Sequence, residues 1–140
     1  MAEETAYDDF NTKIIAEFRA NEGRVGGPFE GAPMALVTTT GAKTGRRTTS
    51  PMMYLLEDGH TYVFASKGGA PTNPAWYHNM LANPEVTVEI GTETRQATAA
   101  PVTGPERDRI YAKQAGLYTG FADYQKRTTR VIPVVELRFA

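Results

Sequence analysis

Three clusters in the 140-residue chain carry side chains able to do chemistry. The first is Gly41-Ala42-Lys43-Thr44-Gly45-Arg46-Arg47-Thr48-Thr49. Lys43, Arg46 and Arg47 put three cations within five residues, Gly41 and Gly45 let a loop expose its amides, and Thr40, Thr44, Thr48 and Thr49 add hydroxyls. Such a set suits a phosphate or carboxylate, through charge-assisted bonds and converging N–H groups. The G-x-x-x-x-G-K-[ST] spacing of a P-loop is absent. A solvated basic hairpin turn is the competing reading.

The second cluster runs Ala65-Ser66-Lys67-Gly68-Gly69-Ala70-Pro71-Thr72-Asn73-Pro74-Ala75-Trp76-Tyr77-His78-Asn79. A strand ends at Ser66, the glycine pair allows close backbone approach, and a helix opening at Asn73 offers free amides. The only tryptophan falls in the first turn of that helix. Trp76 and Asn79 then make an aromatic wall and an amide for a flat heterocycle, with a plain core anchor as the alternative for Trp76. The third cluster is Tyr118, Phe121 and Tyr124, aromatics at i, i+3 and i+6 that suit either a pocket or a core stripe. Thr128, Thr129 and Arg130 follow and read as a cap on the last strand.

Conventional catalytic sets are missing. There is no cysteine, which excludes thiol nucleophiles and thiolate metal sites. The two histidines, His60 and His78, form no ligand pair, and neither a nucleophile elbow nor an aspartate-rich metal loop occurs. No metal is expected. The residues suit a protein that binds an anionic, flat cofactor whose own chemistry does the work.

These clusters need elements to position them. Residues 8–22 place Phe10, Ile14, Ile15 and Phe18 at helical spacing, with Asp8 or Asp9 as cap and Gly23 as stop. The bland reading is a helix that caps the core, and the alternative is one that lies on a membrane surface, giving weak peripheral association. A glycine- and proline-rich connector follows to Pro33. From Met34 the texture turns to β-prone runs: MALVTTT, then SPMMYLLEDGHTYVFAS with an Asp58-Gly59 hairpin turn, then VTVEI and TRQATAAPV joined at Gly91-Thr92, and finally VIPVVELRF. Helices are expected over AWYHNMLAN, with Asn73 as N-cap and Pro74 in first position, and over Pro105–Tyr118 behind a Thr103-x-x-Glu106 capping box. A short helical turn follows near Ala122–Gln125.

About six strands joined by tight turns, with two or three helices inserted, give an α+β domain on an antiparallel barrel or sandwich; parallel βαβ units would need a crossover after each strand. One domain is expected, with residues 1–33 as helix and connector and 34–140 as the barrel. Lys+Arg 15 against Asp+Glu 16 leaves a net charge of -1, too balanced for a generic nucleic-acid binder, so any anion site is local. The acidic start has neither the basic nor the apolar region of a secretory signal, and a cytoplasmic location is expected.

The segments TTTGAKTGRRTTSPMMY, ASKGGAPTNPAWYHNMLANPEVTVEI and GLYTGFADYQKRTTRVIPV together resemble the actinobacterial deazaflavin-dependent nitroreductases, a branch of the split β-barrel flavin and deazaflavin oxidoreductases. The resemblance covers the chain from about Met34 onward. It implies an FMN-binding-like split barrel with Greek-key strands, and coenzyme F-420 (8-hydroxy-5-deazaflavin) as cofactor in preference to FMN. By that similarity Lys43, Thr44, Gly45, Arg46 and Arg47 hold the cofactor's phosphate and glutamate tail. Ala65, Ser66, Lys67 and Gly68, with Trp76 and Asn79, line the deazaflavin, and Pro51, Met52 and Met53 pass beneath its ring. Thr48 stands where relatives often carry an arginine.

The activity implied is hydride transfer from the reduced deazaflavin to a quinone-like or other conjugated small-molecule acceptor, with Tyr124, Tyr118 or Ser66 as proton or hydrogen-bond donor and Phe121 lining the pocket. In the nitroreductase member a tyrosine takes the place of Phe121, so the missing hydroxyl argues against nitroimidazole reduction. A cofactor carrier without turnover is the alternative function. The acceptor and the oligomeric state are not legible from these residues.

Overall fold

Runs rich in Val, Thr and Tyr become strands because branched and aromatic side chains pack well on a pleated, half-buried surface. In the computed structural model, which describes residues 2–27 and 31–140 and the side chains of residues 11–27, 31–67 and 69–140, six such strands form. They are β1 (Met34–Thr40), β2 (Arg47–Glu57), β3 (His60–Phe64), β4 (Glu85–Ile90), β5 (Glu93–Val102) and β6 (Val134–Phe139). All neighbours are antiparallel in the order β1-β2-β3-β6-β5-β4, and β4 pairs back onto β1 to close a barrel. Among the described residues four α-helices accompany the barrel: α1 (Ala2–Ala20), α2 (Ala75–Ala82) between β3 and β4, and α3 (Gly104–Leu117) with α4 (Gly120–Lys126) between β5 and β6.

The hairpins follow from local chemistry. Asp58 and Gly59 both take positive φ (50° and 79°), as a two-residue turn matched to strand twist requires. Gly91 (φ 61°) opens the turn between β4 and β5. Packing then divides along the two-residue period of each strand. On β3, Val63 faces the barrel interior with Val37, Val86, Val88, Val135 and Leu137, while Tyr62 and Phe64 face a second cluster with Ile110, Tyr111 and Phe121 under α3 and α4. A third cluster joins α1 to the barrel: Ile14 and Phe18 pack with Val25, Met34 and Leu36. Burying each such side chain contributes about 1.5–3 kcal/mol.

Several sequence expectations change. The N-terminal helix starts at Ala2, so Asp8 and Asp9 lie in its interior and not at its start. The Phe10 side chain, and residues 28–30 of the connector, lie outside the described residues. The apolar face expected either to cap the core or to meet a membrane is packed on the barrel through Ile14 and Phe18. No helix among the described residues is long and apolar enough to cross a membrane. Gly23 (φ 93°) does serve as the stop, its amide reaching Phe18 O at 2.8 Å; a Cβ there would come within 2.6 Å of Gly91 Cα.

At α2 the cap is Pro74, not Asn73, because the Asn73 carboxamide oxygen is taken by the Arg130 guanidinium at 2.7 Å. The expected capping box at α3 does not form: Thr103 makes no side-chain cap, and Glu106 pairs with Arg109 at 2.7 Å instead. The last strand begins at Val134, after Pro133, and Arg130 does not cap it.

Candidate active site

β2 pairs with β1 from Arg47 to Met53 but meets β3 only from Tyr54 onward. Pro51, which has no N–H to give, sits in that singly paired stretch, where its missing donor leaves no ladder bond unmade. Along this opening lies a cleft of about 240 Å³. Pro51, Met52 and Met53 of β2 form its floor with Met34; Phe64, Ser66 and Lys67 come from the end of β3, and Pro74 and Trp76 from the start of α2. Phe121 and Tyr124 of α4, and Asn11 and Ile14 of α1, complete the lining. A groove of about 950 Å³ beside Asn21 and Gly26 is larger but has no aromatic lining among the described residues.

The loop from Ala65 to Asn73 is held from beneath by one side chain. Arg130 donates through Nε to Ala70 O (2.9 Å), through Nη1 to Ala65 O (3.1 Å) and Asn73 Oδ1 (2.7 Å), and through Nη2 to Ser66 O (2.8 Å). Burial pulls this guanidinium below its ordinary pKa, and the four acceptors offset the cost of placing a cation there. The loop makes a 3-10 turn at Lys67–Gly69, with Lys67 at φ 47°. Gly69 (φ 82°) is obligatory: a Cβ there would lie 2.7 Å from Tyr124 O, so the missing side chain lets α4 close on the loop.

The aromatic wall is rigid. The Phe121 ring stands 5.2 Å from that of Tyr124 and 5.7 Å from that of Phe64, both edge-on. Tyr111 donates its hydroxyl to Phe121 O at 2.5 Å, and burial pushes its pKa up to about 12. By contrast the hydroxyls of Ser66 and Tyr124 have no hydrogen-bond partner among the described residues.

At the far end of β1 the basic hairpin loop connects Thr40 to Arg47. Gly41 N to Arg46 O (2.7 Å) and Gly45 N to Gly41 O (3.0 Å) fold it, and a Cβ on Gly41 would meet Thr44 Oγ1 at 2.7 Å. Asn79 ties it to α2, accepting from Ala42 N (3.0 Å) and donating to Thr39 Oγ1 (3.1 Å). Arg47 is engaged by Thr40 (3.2 Å) and Thr87 (2.8 Å), whereas Lys43 and Arg46 are exposed with no polar side-chain partner among the described residues. Met34 and Thr40 are six strand steps apart, about 20 Å. α2 touches both regions, with Trp76 lining the cleft and Asn79, one turn on, bonded to the loop.

Comparison with known proteins decides what this arrangement belongs to. The sequence profile of the F-420H(2)-dependent quinone reductase family matches residues 12–138. This chain belongs to that family. An F-420H(2)-dependent quinone reductase of Mycobacterium tuberculosis is 42% identical over 130 residues, 87% of this chain and 85% of the relative. A solved F-420-H(2)-dependent reductase superposes with a TM-score of 0.69 at 40% identity, covering 76% of this chain and 94% of its own. A second structure, described as a domain-swapped dimer, gives 0.70 at 36% identity over 96% and 99% of the two chains. The haem storage protein HutZ of Vibrio cholerae, at 17% identity and a TM-score of 0.58 over 90% of this chain and 87% of its own, shares the fold alone.

Within this member of the quinone reductase family, most of the expected site residues converge. Pro51, Met52, Met53, Ser66, Lys67, Trp76, Phe121 and Tyr124 all line one cleft. Trp76 is both wall and anchor, 8% exposed and packed into the barrel interior. Ala65 is fully buried and lends backbone only; its amide donates to Pro133 O at 3.0 Å. Two expectations shift. Asn79, read as lining the ring, instead anchors the basic loop, and Tyr118 packs against the cluster under α3 without reaching the cleft lining.

Arg130 and the α1 residues were missed. No local pattern marks Arg130, whose partners stand 57 to 65 positions earlier in the chain.

Proposed function

We propose that the cleft and the basic loop together hold reduced coenzyme F-420, and that a quinone enters beside it to be reduced. The observation that carries this reading is the pairing of an apolar, aromatic-walled cleft with Lys43 and Arg46, exposed and without a side-chain partner among the described residues, in the loop beyond the other end of β1, six strand steps from Met34. That length and polarity suit a flat ring with a long anionic tail. Lys43 and Arg46 would hold the phosphate and glutamate groups, with Thr44 and Gly45 shaping the loop and Arg47 braced against Thr87. Ser66, Lys67 and Gly68, Trp76, and Pro51–Met53 would frame the ring.

When bound in reduced form, the cofactor supplies the hydride. The chain's contribution is placement, since neither histidine nor carboxylate lines the cleft among the described residues. Met34, Met53, Phe64 and Phe121 keep water from the reacting groups, and holding both reactants in register supplies the proximity term. The free hydroxyls of Tyr124 and Ser66 donate hydrogen bonds to negative charge developing on the acceptor.

Titration of coenzyme F-420, FMN and NADPH against Trp76 fluorescence tests the reading, because the only tryptophan lines the cleft. Coenzyme F-420 is expected to bind most tightly. FMN binding of equal or greater strength would overturn the cofactor assignment.

A further inference from the structure

The cleft has a wall that its cofactor-framing loops do not provide. Helix α1 contributes Asn11 and Ile14, three residues apart and so on one helix face. Ile14, 8% exposed, and Phe18, 2% exposed, fix that face to Met34 and Leu36. Asn11 is thereby held one turn further along the same face, at the cleft. Its carboxamide has no hydrogen-bond partner among the described residues. Elsewhere in the lining, Lys67 is drawn to Thr72 at 3.4 Å, and the free hydroxyls of Ser66 and Tyr124 belong to the loop and helix that Arg130 and Gly69 lock together.

We propose that Asn11 recognises the acceptor, its amide N–H donating to a quinone carbonyl; this rests on the reading of the cleft as a quinone site. A quinone oxygen only accepts. Once the quinone has taken up one hydride and one proton, the hydroquinone oxygen carries a hydrogen that must itself be accepted. A carboxamide serves both states, because its nitrogen donates and its oxygen accepts without any change of charge. A lysine would serve the first state alone, and a carboxylate the second alone. Ile14 supplies the apolar surface beside it, so substrates with a carbonyl on a flat apolar ring are the class selected.

The test compares wild type with Asn11→Leu, which keeps the size and does not weaken the helix while removing both hydrogen-bonding atoms, and with Asn11→Asp, which removes the donor. Lys13→Ala, exposed on the other side of α1, is the control. Menadione turnover with reduced coenzyme F-420 gives KM and kcat, and quenching of Trp76 gives menadione and coenzyme affinities directly. Loss of one hydrogen bond predicts a KM and a menadione Kd raised about three- to tenfold in Asn11→Leu. Asn11→Asp is expected to lose at least as much. The kcat and coenzyme affinity should stay within about twofold, since the bond is made in bound substrate and transition state alike.

An unchanged menadione Kd in both variants overturns the proposal. So does a parallel loss of coenzyme affinity and melting temperature, which would mark Asn11 as merely structural. A wild type that binds coenzyme F-420 but neither binds nor reduces menadione strikes the quinone reading itself, and the role of Asn11 falls with it.

Discussion

The Arg130 guanidinium holds the Asn73 carboxamide at 2.7 Å, and through this contact the start of α2 is tied to the segment before β6. The same side chain holds the carbonyls of Ala65, Ser66 and Ala70, so the loop along the cleft is set by a residue that lines none of it.

Arg130→Ala is expected to lower stability by on the order of 3 kcal/mol, since hydrogen bonds to a charged donor are worth about 1.5–3 kcal/mol each and are not additive. Arg130→Lys keeps the charge but not the fork, and should recover less than half of the loss. Thermal melts check the stability. Coenzyme affinity by Trp76 fluorescence should fall with it, because Ser66 and Lys67 lose their support.

Lys43 and Arg46, the two unengaged cations of the basic loop, should carry the salt-sensitive part of cofactor binding. Lys43→Ala with Arg46→Ala is expected to weaken coenzyme F-420 binding by about 1.5–3 kcal/mol per lost contact, with an unchanged melting temperature. Arg47→Ala should instead lower the melting temperature as well, because Arg47 braces Thr40 and Thr87. Titrations at low and high salt separate these effects, the double variant losing most of the wild-type salt dependence.

Phe121 presents its ring to the cleft while being 7% exposed. The wild type is expected to reduce nitroimidazoles poorly, and Phe121→Tyr to gain on the order of tenfold in that rate by adding a donor at the acceptor site. A variant that melts earlier without any gain would show the new hydroxyl buried without a partner, a cost of about 1–3 kcal/mol. Nitroimidazole turnover and thermal melts of the two proteins distinguish the outcomes.

At the hairpin end of β3, Glu136 accepts from His60 Nδ1 at 2.6 Å and from Arg138 Nε at 3.2 Å. Burial alone would raise the Glu136 pKa, but these hydrogen bonds hold it below the ordinary glutamate range. Its contribution to stability is therefore complete above the unfolded value of about 4.3 and is lost as pH falls through the lower folded value. Melting temperatures followed from neutral to acid pH should drop below about pH 4.3 in the wild type. In Glu136→Gln the curve should start lower and fall less steeply there.

What was legible in the sequence was local. Asp58-Gly59 and Gly91-Thr92 set their hairpins through two-residue turns, and the basic loop announces itself as three cations in five residues. The resemblance added the split barrel and pointed to segments whose residues line one cleft. What stayed hidden depends on partners far away in the chain. Arg47 looks as free as Lys43 until Thr87, 40 residues on, takes its guanidinium. Asn73 reads as a cap until Arg130 claims it. α1 reads as a core cap because only the closed barrel shows that its face also reaches the cleft.

The most direct measurement is anaerobic turnover: purified protein, coenzyme F-420 reduced beforehand, and menadione added last, with the oxidised-cofactor absorbance followed against a protein-free control. The account predicts its return at a rate set by protein concentration and saturating in menadione. Absorbance that recovers no faster than in the control, from a protein that binds the coenzyme, would contradict it.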